Sequence, residues 1–195
     1  MNDMDLQTIN QYRFSFKRFN PFMIWLWRLG FRRYVNCWPR PGGRVMVITH
    51  TGRKSGARYR TPLNYTIVDG EIYCMAGFGH RADWYRNILA HPEVEVWLPD
   101  SWWSGQAEDI SHDPARLPLL RQLILDTGLV GPLFGINARK MSDADFDRAI
   151  AGSCLVRIHR SQRLGGRAGP GDLAWIWLPL IAFLALVYVI ARFWL

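Results

Sequence analysis

Short stretches rich in apolar and β-branched residues, separated by turn signals, predict six short strands in the middle of the chain. The predicted strands cover residues 44–49, 61–68, 71–76, 93–98, 104–110 and 155–159. The Asp69-Gly70 pair between the second and third strands is typical of a tight hairpin turn. Six short strands in one chain indicate a small barrel.

Helix signals lie between and after the strands. Asp83 precedes an apolar run to residue 90 and is predicted to cap a short helix. Asp113, which a proline follows, opens a longer helix that stops near Gly128, and Ser142 opens a third that ends near residue 150. Together with the strands, these helices predict an α+β fold.

The N-terminal part of the chain has the 3.6-residue period of an amphipathic helix. Asn20 and Pro21 are typical of a helix start, and the pattern continues to about Val35. One predicted face carries Phe19, Met23, Leu26, Trp27, Gly30 and Tyr34. Arginines and tryptophans around this face suit a helix in the headgroup layer of an anionic membrane, and packing against its own domain is the equal alternative.

The C-terminal residues 173–195 predict a transmembrane helix. No charged residue occurs from Leu173 through Ala191, and at about 1.5 Å per residue the segment spans roughly 34 Å, enough to cross a hydrocarbon core about 30 Å thick. A buried core helix is the alternative. Four arginines precede the segment, at positions 157, 160, 163 and 167. We therefore expect a single-pass C-terminal anchor in the cell membrane, with the domain on the cytoplasmic side.

Glycines separate the last strand from this anchor and predict a flexible linker; they are Gly165, Gly166, Gly169 and Gly171, with Pro170 among them. The predicted organisation has four parts. An N-terminal amphipathic helical segment covers residues 1–40, a barrel domain 41–160, a linker rich in Gly and Arg 161–172, and a transmembrane anchor 173–195.

Composition agrees with one folded domain and divides the charge unevenly. The chain has 195 residues, 49% of them hydrophobic, and a net charge of +8, which excludes a disordered polymer. Residues 13–60 carry twelve Lys and Arg and no acid, whereas residues 61–154 have a net charge of −6. A basic balance admits a nucleic-acid partner, but no recognised nucleic-acid motif is present, so none is expected.

The histidines and cysteines give no metal or nucleophile signal. Three cysteines without a C-x-x-C pair indicate neither a disulfide framework nor a zinc site. The five histidines are widely spaced, and no nucleophile elbow or complete Walker A loop occurs. Metal binding and hydrolase chemistry have no support in the residues.

A basic, glycine-flanked loop follows the first predicted strand. Residues 52–56 read GRKSG, and Arg58 and Arg60 follow closely. A strand-turn-strand of this kind offers backbone amides and several cations to one anionic group, so it predicts phosphate or carboxylate capture. A solvated hairpin without a ligand is the alternative.

Several motifs in series resemble the deazaflavin (F420)-dependent nitroreductase and quinone reductase family. They are VMVITHTGRKSG at 45–56, RTPL at 60–63, the Asp-Gly hairpin, DWYRNI at 83–88 and HPEVEV at 91–96. The resemblance implies an α+β split β-barrel of the FMN-binding type with flanking helices, which binds coenzyme F420 through its phosphodiester and oligoglutamate tail.

The resemblance also implies a set of cofactor-binding residues. The loop and the strand after it would contribute Arg53, Lys54, Ser55, Tyr59, Arg60, Thr61, Pro62, Leu63 and Asn64. The end of the next strand would contribute Met75, Ala76, Gly77 and Phe78, and the short helix Asp83, Trp84, Tyr85, Arg86 and Asn87. The sequence departs from the family in two places: some members carry a lysine where Phe78 falls, and the loop at 79–82 is shorter.

These observations lead to one functional hypothesis with alternatives. The protein is expected to be a membrane-anchored oxidoreductase that transfers a hydride from reduced F420. The acceptor would be a nitro compound or a quinone-like molecule such as menaquinone. Tyr65, Tyr85 or water would provide the proton. The alternatives are a barrel that binds FMN or a tetrapyrrole, and a non-catalytic cofactor-binding membrane module. Monomer and homodimer are both left open.

Overall fold

A computed structural model describes residues 19–35, 43–166 and 169–194. Six antiparallel strands close into a barrel in the order β1-β2-β3-β6-β5-β4. They are β1 (Val45–Thr51), β2 (Arg58–Val68), β3 (Glu71–Ala76), β4 (Glu93–Trp97), β5 (Trp102–Asp109) and β6 (Cys154–Arg163). The predicted split barrel with flanking helices is confirmed.

Seven helices accompany the barrel in the described part of the chain. They are α1 (residues 19–28), α2 (Arg32–Val35), α3 (Asp83–Ala90), α4 (Arg116–Asp126), α5 (Val130–Leu133), α6 (Asp143–Ala149) and α7 (Trp177–Trp194). Two 3₁₀ turns, Gly79–Arg81 and Ala174–Ile176, precede α3 and α7.

The first two strands are longer than predicted. Thr51 pairs with Arg58, so β1 and β2 continue past the predicted ends at 49 and 61 and close a hairpin around residues 52–57. The predicted Asp69-Gly70 turn is confirmed, since both residues have positive φ, 50° and 83°. The basic loop therefore lies at the tip of a regular hairpin.

The helix starts agree with the sequence in one case and differ in another. The Ser142 hydroxyl accepts a hydrogen bond from the Asp145 amide and caps α6 as predicted. The prediction that Asp83 caps α3 is wrong: Ala82 occupies the cap position and Asp83 is the first residue of the helix. The Asp83 side chain instead pairs with Arg53.

The interior of the barrel is apolar and one end is closed by α3. Met46, Ile48, Ile72, Val96 and Val156 are buried in this core. Tyr85 and Ile88 of α3 pack onto the same cluster. Helix α4 covers the outer face of β2 and β3 through a second cluster. Helix α3 is therefore held against the barrel by this cluster.

Helix α1 packs on the outside of the barrel with one face only. Met23 and Trp27 are buried, and Trp27 contacts Val47 and Trp97. Phe22 and Trp25 are exposed on other sides of the helix, and Phe19, although on the same side as Met23, is also exposed. The N-terminal helix was predicted to run on to about Val35, but α1 ends at Arg28 because Gly30 adopts φ 92°. Asn20 lies inside the helix and not at its cap. Residues 1–18 and 36–42 of the predicted N-terminal segment lie outside the described residues.

Residues 169–177, which we call the neck, are packed against α1. The Gly171 amide donates to the Trp27 carbonyl (3.1 Å) and the Leu173 amide to the Arg28 carbonyl (3.0 Å). Gly169 lies so close to Trp102 that a Cβ would be 2.6 Å from the indole ring. Glycines 169 and 171, expected in a flexible linker, are thus part of a packed segment.

The charged residues before the neck also differ in use from the expectation. β6 continues to Arg163, so Arg157, Arg160 and Arg163 are barrel residues. Arg157 pairs with Glu108, and Arg160 lies over the Trp103 ring. Arg167 lies outside the described residues.

The C-terminal helix has the dimensions of a membrane span. Residues 174–192 have a mean hydropathy of 2.4 and none of the span is buried in the protein. By length and composition, this helix could cross a membrane. Its exposure excludes the alternative of a buried core helix for this segment.

Candidate functional site

The loop at residues 52–57 is closed by its own hydrogen bonds. The Gly52 amide donates to the Ala57 carbonyl and the Gly56 amide to the Gly52 carbonyl, both at 2.8 Å. The hydroxyls of Ser55 and Tyr59 lie 3.2 Å apart. A Cβ on Gly52 would be 2.6 Å from the Tyr59 ring, so glycine permits this ring to pack under the loop.

Arg53 joins the loop to α3. Its amide and its guanidinium both donate to the Asn87 side-chain carbonyl, at 3.2 and 2.9 Å, and the guanidinium also pairs with Asp83 at 3.2 Å. The structure therefore brings together Arg53, Asp83 and Asn87, three of the predicted site residues. Since the guanidinium is already bound, the exposed Lys54 is the more available cation of the loop.

His50 extends this network into the barrel and was missed as a site residue by sequence reasoning. It is 3% exposed. Its Nδ1 lies 3.2 Å from the Asn87 amide nitrogen and its Nε2 lies 3.1 Å from the Thr61 hydroxyl. Burial lowers the pKa of His50 to about 4, so the ring is neutral at pH 7. The sequence signal that could have identified it is its spacing: His50 is on the same face of β1 as the buried Met46 and Ile48.

The predicted stretch 59–64 of β2 divides between two faces. Thr61 and Leu63 pair with the buried Ile48 and Met46 and face the barrel interior. The other three, Arg60, Pro62 and Asn64, face outward. All positions from 60 to 64 are half-buried, and this part of β2 pairs with β1 alone, since pairing with β3 begins at Tyr65. Such partial exposure on both faces indicates an uncovered groove along β2.

Arg60 lies at the outer side of this groove. Its guanidinium carbon is 4.5 Å from the centroid of the Trp97 ring, a cation–π contact. Burial lowers the pKa of Arg60, and the nearby Arg28 lowers it further. Its Nε is buried without a partner among the described residues. Asn64 donates to the Arg44 carbonyl at 3.1 Å.

The segment at the end of β3 does not act as one surface. Met75 packs outward against the α4 cluster, whereas Ala76 is buried in the barrel core. Gly77 is exposed and Phe78 is half-buried. Of the α3 residues, Arg86 is exposed and Trp84 packs partly buried on the barrel core.

The two tyrosines considered as proton donors are both buried. Tyr65 is 7% exposed and Tyr85 is fully buried, its hydroxyl included. Burial raises the pKa of each phenol. Tyr59, beside the loop, is 47% exposed.

Among the described residues, no three His, Cys, Asp or Glu side chains are grouped as a metal site would require.

The comparison with known families matches this hairpin and its surroundings. Residues 33–127 match the F420H(2)-dependent quinone reductase family. The resemblance found in the sequence is confirmed, and the family supports F420-dependent reduction. The matched region contains the loop, β2, the end of β3 and α3. It therefore includes every residue that the resemblance implied for cofactor binding.

Solved structures with a similar arrangement are distant. An F420-H2 dependent reductase (FDR-A) shares 20% identity with a TM-score of 0.42, covering 60% of this chain and 93% of that chain. The conserved hypothetical protein Rv2991 from Mycobacterium tuberculosis shares 19% with a TM-score of 0.45, covering 68% and 79%. The heme storage protein HutZ from Vibrio cholerae shares 12% with a TM-score of 0.43, covering 61% and 82%. No curated protein matches the chain. The assignment therefore rests on the family match.

Proposed function

We propose that the protein is a membrane-anchored oxidoreductase that transfers a hydride from reduced F420 to a quinone-like acceptor in the bilayer. One observation carries the proposal: the family match at 33–127 is followed, in the same chain, by an unburied apolar helix at 174–192. A nitro compound is the second acceptor class. A quinone is favoured because a membrane helix places the barrel beside a pool of lipid-soluble acceptors.

The residues at the loop fit the anionic part of F420. Lys54 is exposed, and hydrogen bonds among Gly52, Ser55, Gly56 and Ala57 fix the conformation of the loop backbone. Space is available on the outside of the loop, since a Cβ on Gly56 would meet nothing within 4 Å. An exposed cation and a hydroxyl beside open space suit a phosphate or carboxylate. Lys54 and Ser55 would hold the phosphate, with Arg58 and Tyr59 exposed beside them.

The ring system would lie along the half-buried part of β2, at positions 60–64, with α3 as its wall. The cofactor, when bound, would supply the hydride, and the chain would bind and orient it. A quinone that accepts a hydride also needs a proton. Because Tyr65 and Tyr85 are buried and their pKa values are raised, we assign the proton to water.

The membrane contact would involve α1 as well as α7. Phe19, Phe22 and Trp25 of α1 are exposed. The neck fastens α1 to the start of α7 by backbone and side-chain hydrogen bonds. An aromatic face beside a membrane span suits the headgroup layer of an anionic membrane. The barrel would then lie on the cytoplasmic surface.

Cofactor choice is tested by titrating the purified full chain with F420, FMN, haem and biliverdin. Saturable binding of F420 at lower concentration than the other three supports the proposal. Tighter binding of FMN or a tetrapyrrole overturns it. Tight F420 binding without turnover with any acceptor identifies the chain as a non-catalytic module.

A further inference from the structure

The hydrogen bonds around Asn87 determine the state of the His50 ring. The Asn87 carbonyl oxygen accepts from the Arg53 amide and guanidinium, so the Asn87 nitrogen must face His50. That nitrogen is a donor, and the His50 Nδ1 at 3.2 Å must therefore accept. A neutral ring that accepts at Nδ1 carries its proton on Nε2. The neutral state agrees with complete burial between β1, β2 and α3.

The Nε2 proton has one available acceptor. The Thr61 hydroxyl oxygen lies 3.1 Å from Nε2 and accepts from it. A hydroxyl that accepts through its oxygen retains its own proton for donation. Thr61 lies on the inner face of β2 but is half-buried and not buried, so a ligand that reaches this position would find a hydroxyl with its proton free to donate.

We propose that His50 is a positioning residue of the cofactor site: it holds Asn87 and Thr61 at once, and so fixes Arg53 in the loop and leaves the Thr61 hydroxyl as a donor to the groove. This inference rests on the proposed function of the groove. One buried side chain joins four segments: β1, β2, the basic loop and α3. The loop thereby has its ligand-binding shape before any cofactor arrives.

The groups that face His50 leave neither ring nitrogen free to exchange a proton with a ligand. Asn87 and Thr61 occupy both ring nitrogens, and the Tyr59 ring stacks on the imidazole with centroids 6.0 Å apart. The nearest charges, Arg53 and Asp83, pair with each other. His50 is therefore shielded from solvent, and its side chain acts through Thr61 and Asn87.

The first test is independent of the cofactor. Nitrogen-15 NMR of the histidine side chains in the full chain, in detergent, reports protonation at each ring nitrogen, and His50→Phe assigns the His50 signals. We expect a neutral ring with its proton on Nε2, unchanged between pH 8 and pH 5. A proton on Nδ1, or titration near pH 6.5, overturns the inference even where F420 turnover is normal.

The second test measures F420 binding in a double-mutant cycle of His50→Phe and Thr61→Val. His50→Phe keeps a ring and removes both hydrogen bonds; Thr61→Val keeps the shape and removes the hydroxyl. Each should raise the Kd for F420 about tenfold, as expected for a lost hydrogen bond, and the double variant should lose no more than either single one. His91→Gln, at an exposed histidine outside the network, should bind as wild type.

Outcomes of this cycle separate the inference from the proposed function. Additive losses, or a folded His50→Phe protein with an unchanged Kd, overturn the role of His50 alone. Failure of the wild-type protein to bind F420 overturns the proposed function and leaves the NMR result as the measure of the network. Where His50→Phe does not fold, His50→Leu, which likewise has no donor or acceptor, replaces it with the same expected direction.

Discussion

Arg28 and Asp172, 144 positions apart in sequence, form a two-pronged ion pair that fastens α1 to the neck. The guanidinium donates through Nε and Nη2 to the two carboxylate oxygens, the shorter distance being 2.7 Å. Arg32 adds a hydrogen bond to the Pro170 carbonyl at 2.9 Å. The N-terminal helix and the start of the C-terminal helix are therefore one structural unit, and the barrel cannot rotate freely on its anchor.

Asp172→Asn should loosen this unit. The carboxylate is 14% exposed, and loss of a charge-assisted pair at such a site costs about 1–3 kcal/mol. Hydrogen–deuterium exchange of the full chain in detergent should show faster exchange at amides 19–28 and 171–174. Asp147→Asn, which breaks the more exposed pair with Arg116, is the control and should leave α1 unchanged. Equal exchange at these amides in wild type, Asp172→Asn and Asp147→Asn would contradict the role of the Arg28–Asp172 ion pair.

Gly52→Ala should damage the loop while leaving the barrel folded. The new Cβ would lie 2.6 Å from the Tyr59 ring and 2.8 Å from the Ser55 hydroxyl, so the ring or the loop must move. We expect the Kd for F420 to rise about tenfold or more, with little change in the melting temperature. Gly165→Ala, which meets nothing within 4 Å, should bind as wild type. An unchanged Kd in Gly52→Ala would place the cofactor elsewhere.

Lys54→Gln should weaken F420 binding through charge. The ammonium is exposed at the loop, so its contribution should be screened by salt. A loss of about three- to tenfold in affinity is expected at low ionic strength, shrinking as salt is added. Lys140→Gln removes an exposed lysine far from the loop in sequence and should have no effect. Identical affinities of the two variants would exclude Lys54 from the anion site.

Stability should depend on pH through His50. The unfolded chain protonates this histidine below about pH 6.5, whereas the folded ring stays neutral down to about pH 4. Between these values the unfolded state binds more protons, so stability falls as the pH falls, by up to roughly 3 kcal/mol. The melting temperature in detergent should therefore drop more for wild type than for His50→Phe between pH 7 and 4, and parallel curves would contradict the assignment.

Much of the barrel could be predicted because its signals are local. The apolar run of β1 and the Asp69-Gly70 turn depend on neighbouring residues only, and the series of motifs around GRKSG indicated both family and cofactor. The uses of Asp83 and Gly169 could not be predicted in this way. Asp83 looks like a helix cap but pairs with Arg53, and Gly169 looks like linker but lies against Trp102. Both depend on contacts between distant parts of the chain.

The site was predicted as unbroken stretches of sequence on three elements, and the strand geometry divides the stretch on β2. Alternate residues of β2 face opposite sides, so Arg60 and Thr61 cannot present side chains to one side of the groove. His50 was overlooked because a lone histidine gives no motif. Its importance follows only from the register that sets it beside Thr61 and from the helix that brings Asn87 to it.

The most direct test is turnover of reduced F420 by the full chain in lipid nanodiscs that contain a menaquinone analogue. We expect the absorbance of oxidised F420 to return, with one hydroquinone formed per cofactor oxidised. Gly52→Ala should slow the reaction at limiting F420, whereas Gly165→Ala should not. Folded wild-type protein that oxidises no reduced F420 with any quinone or nitro acceptor would contradict it.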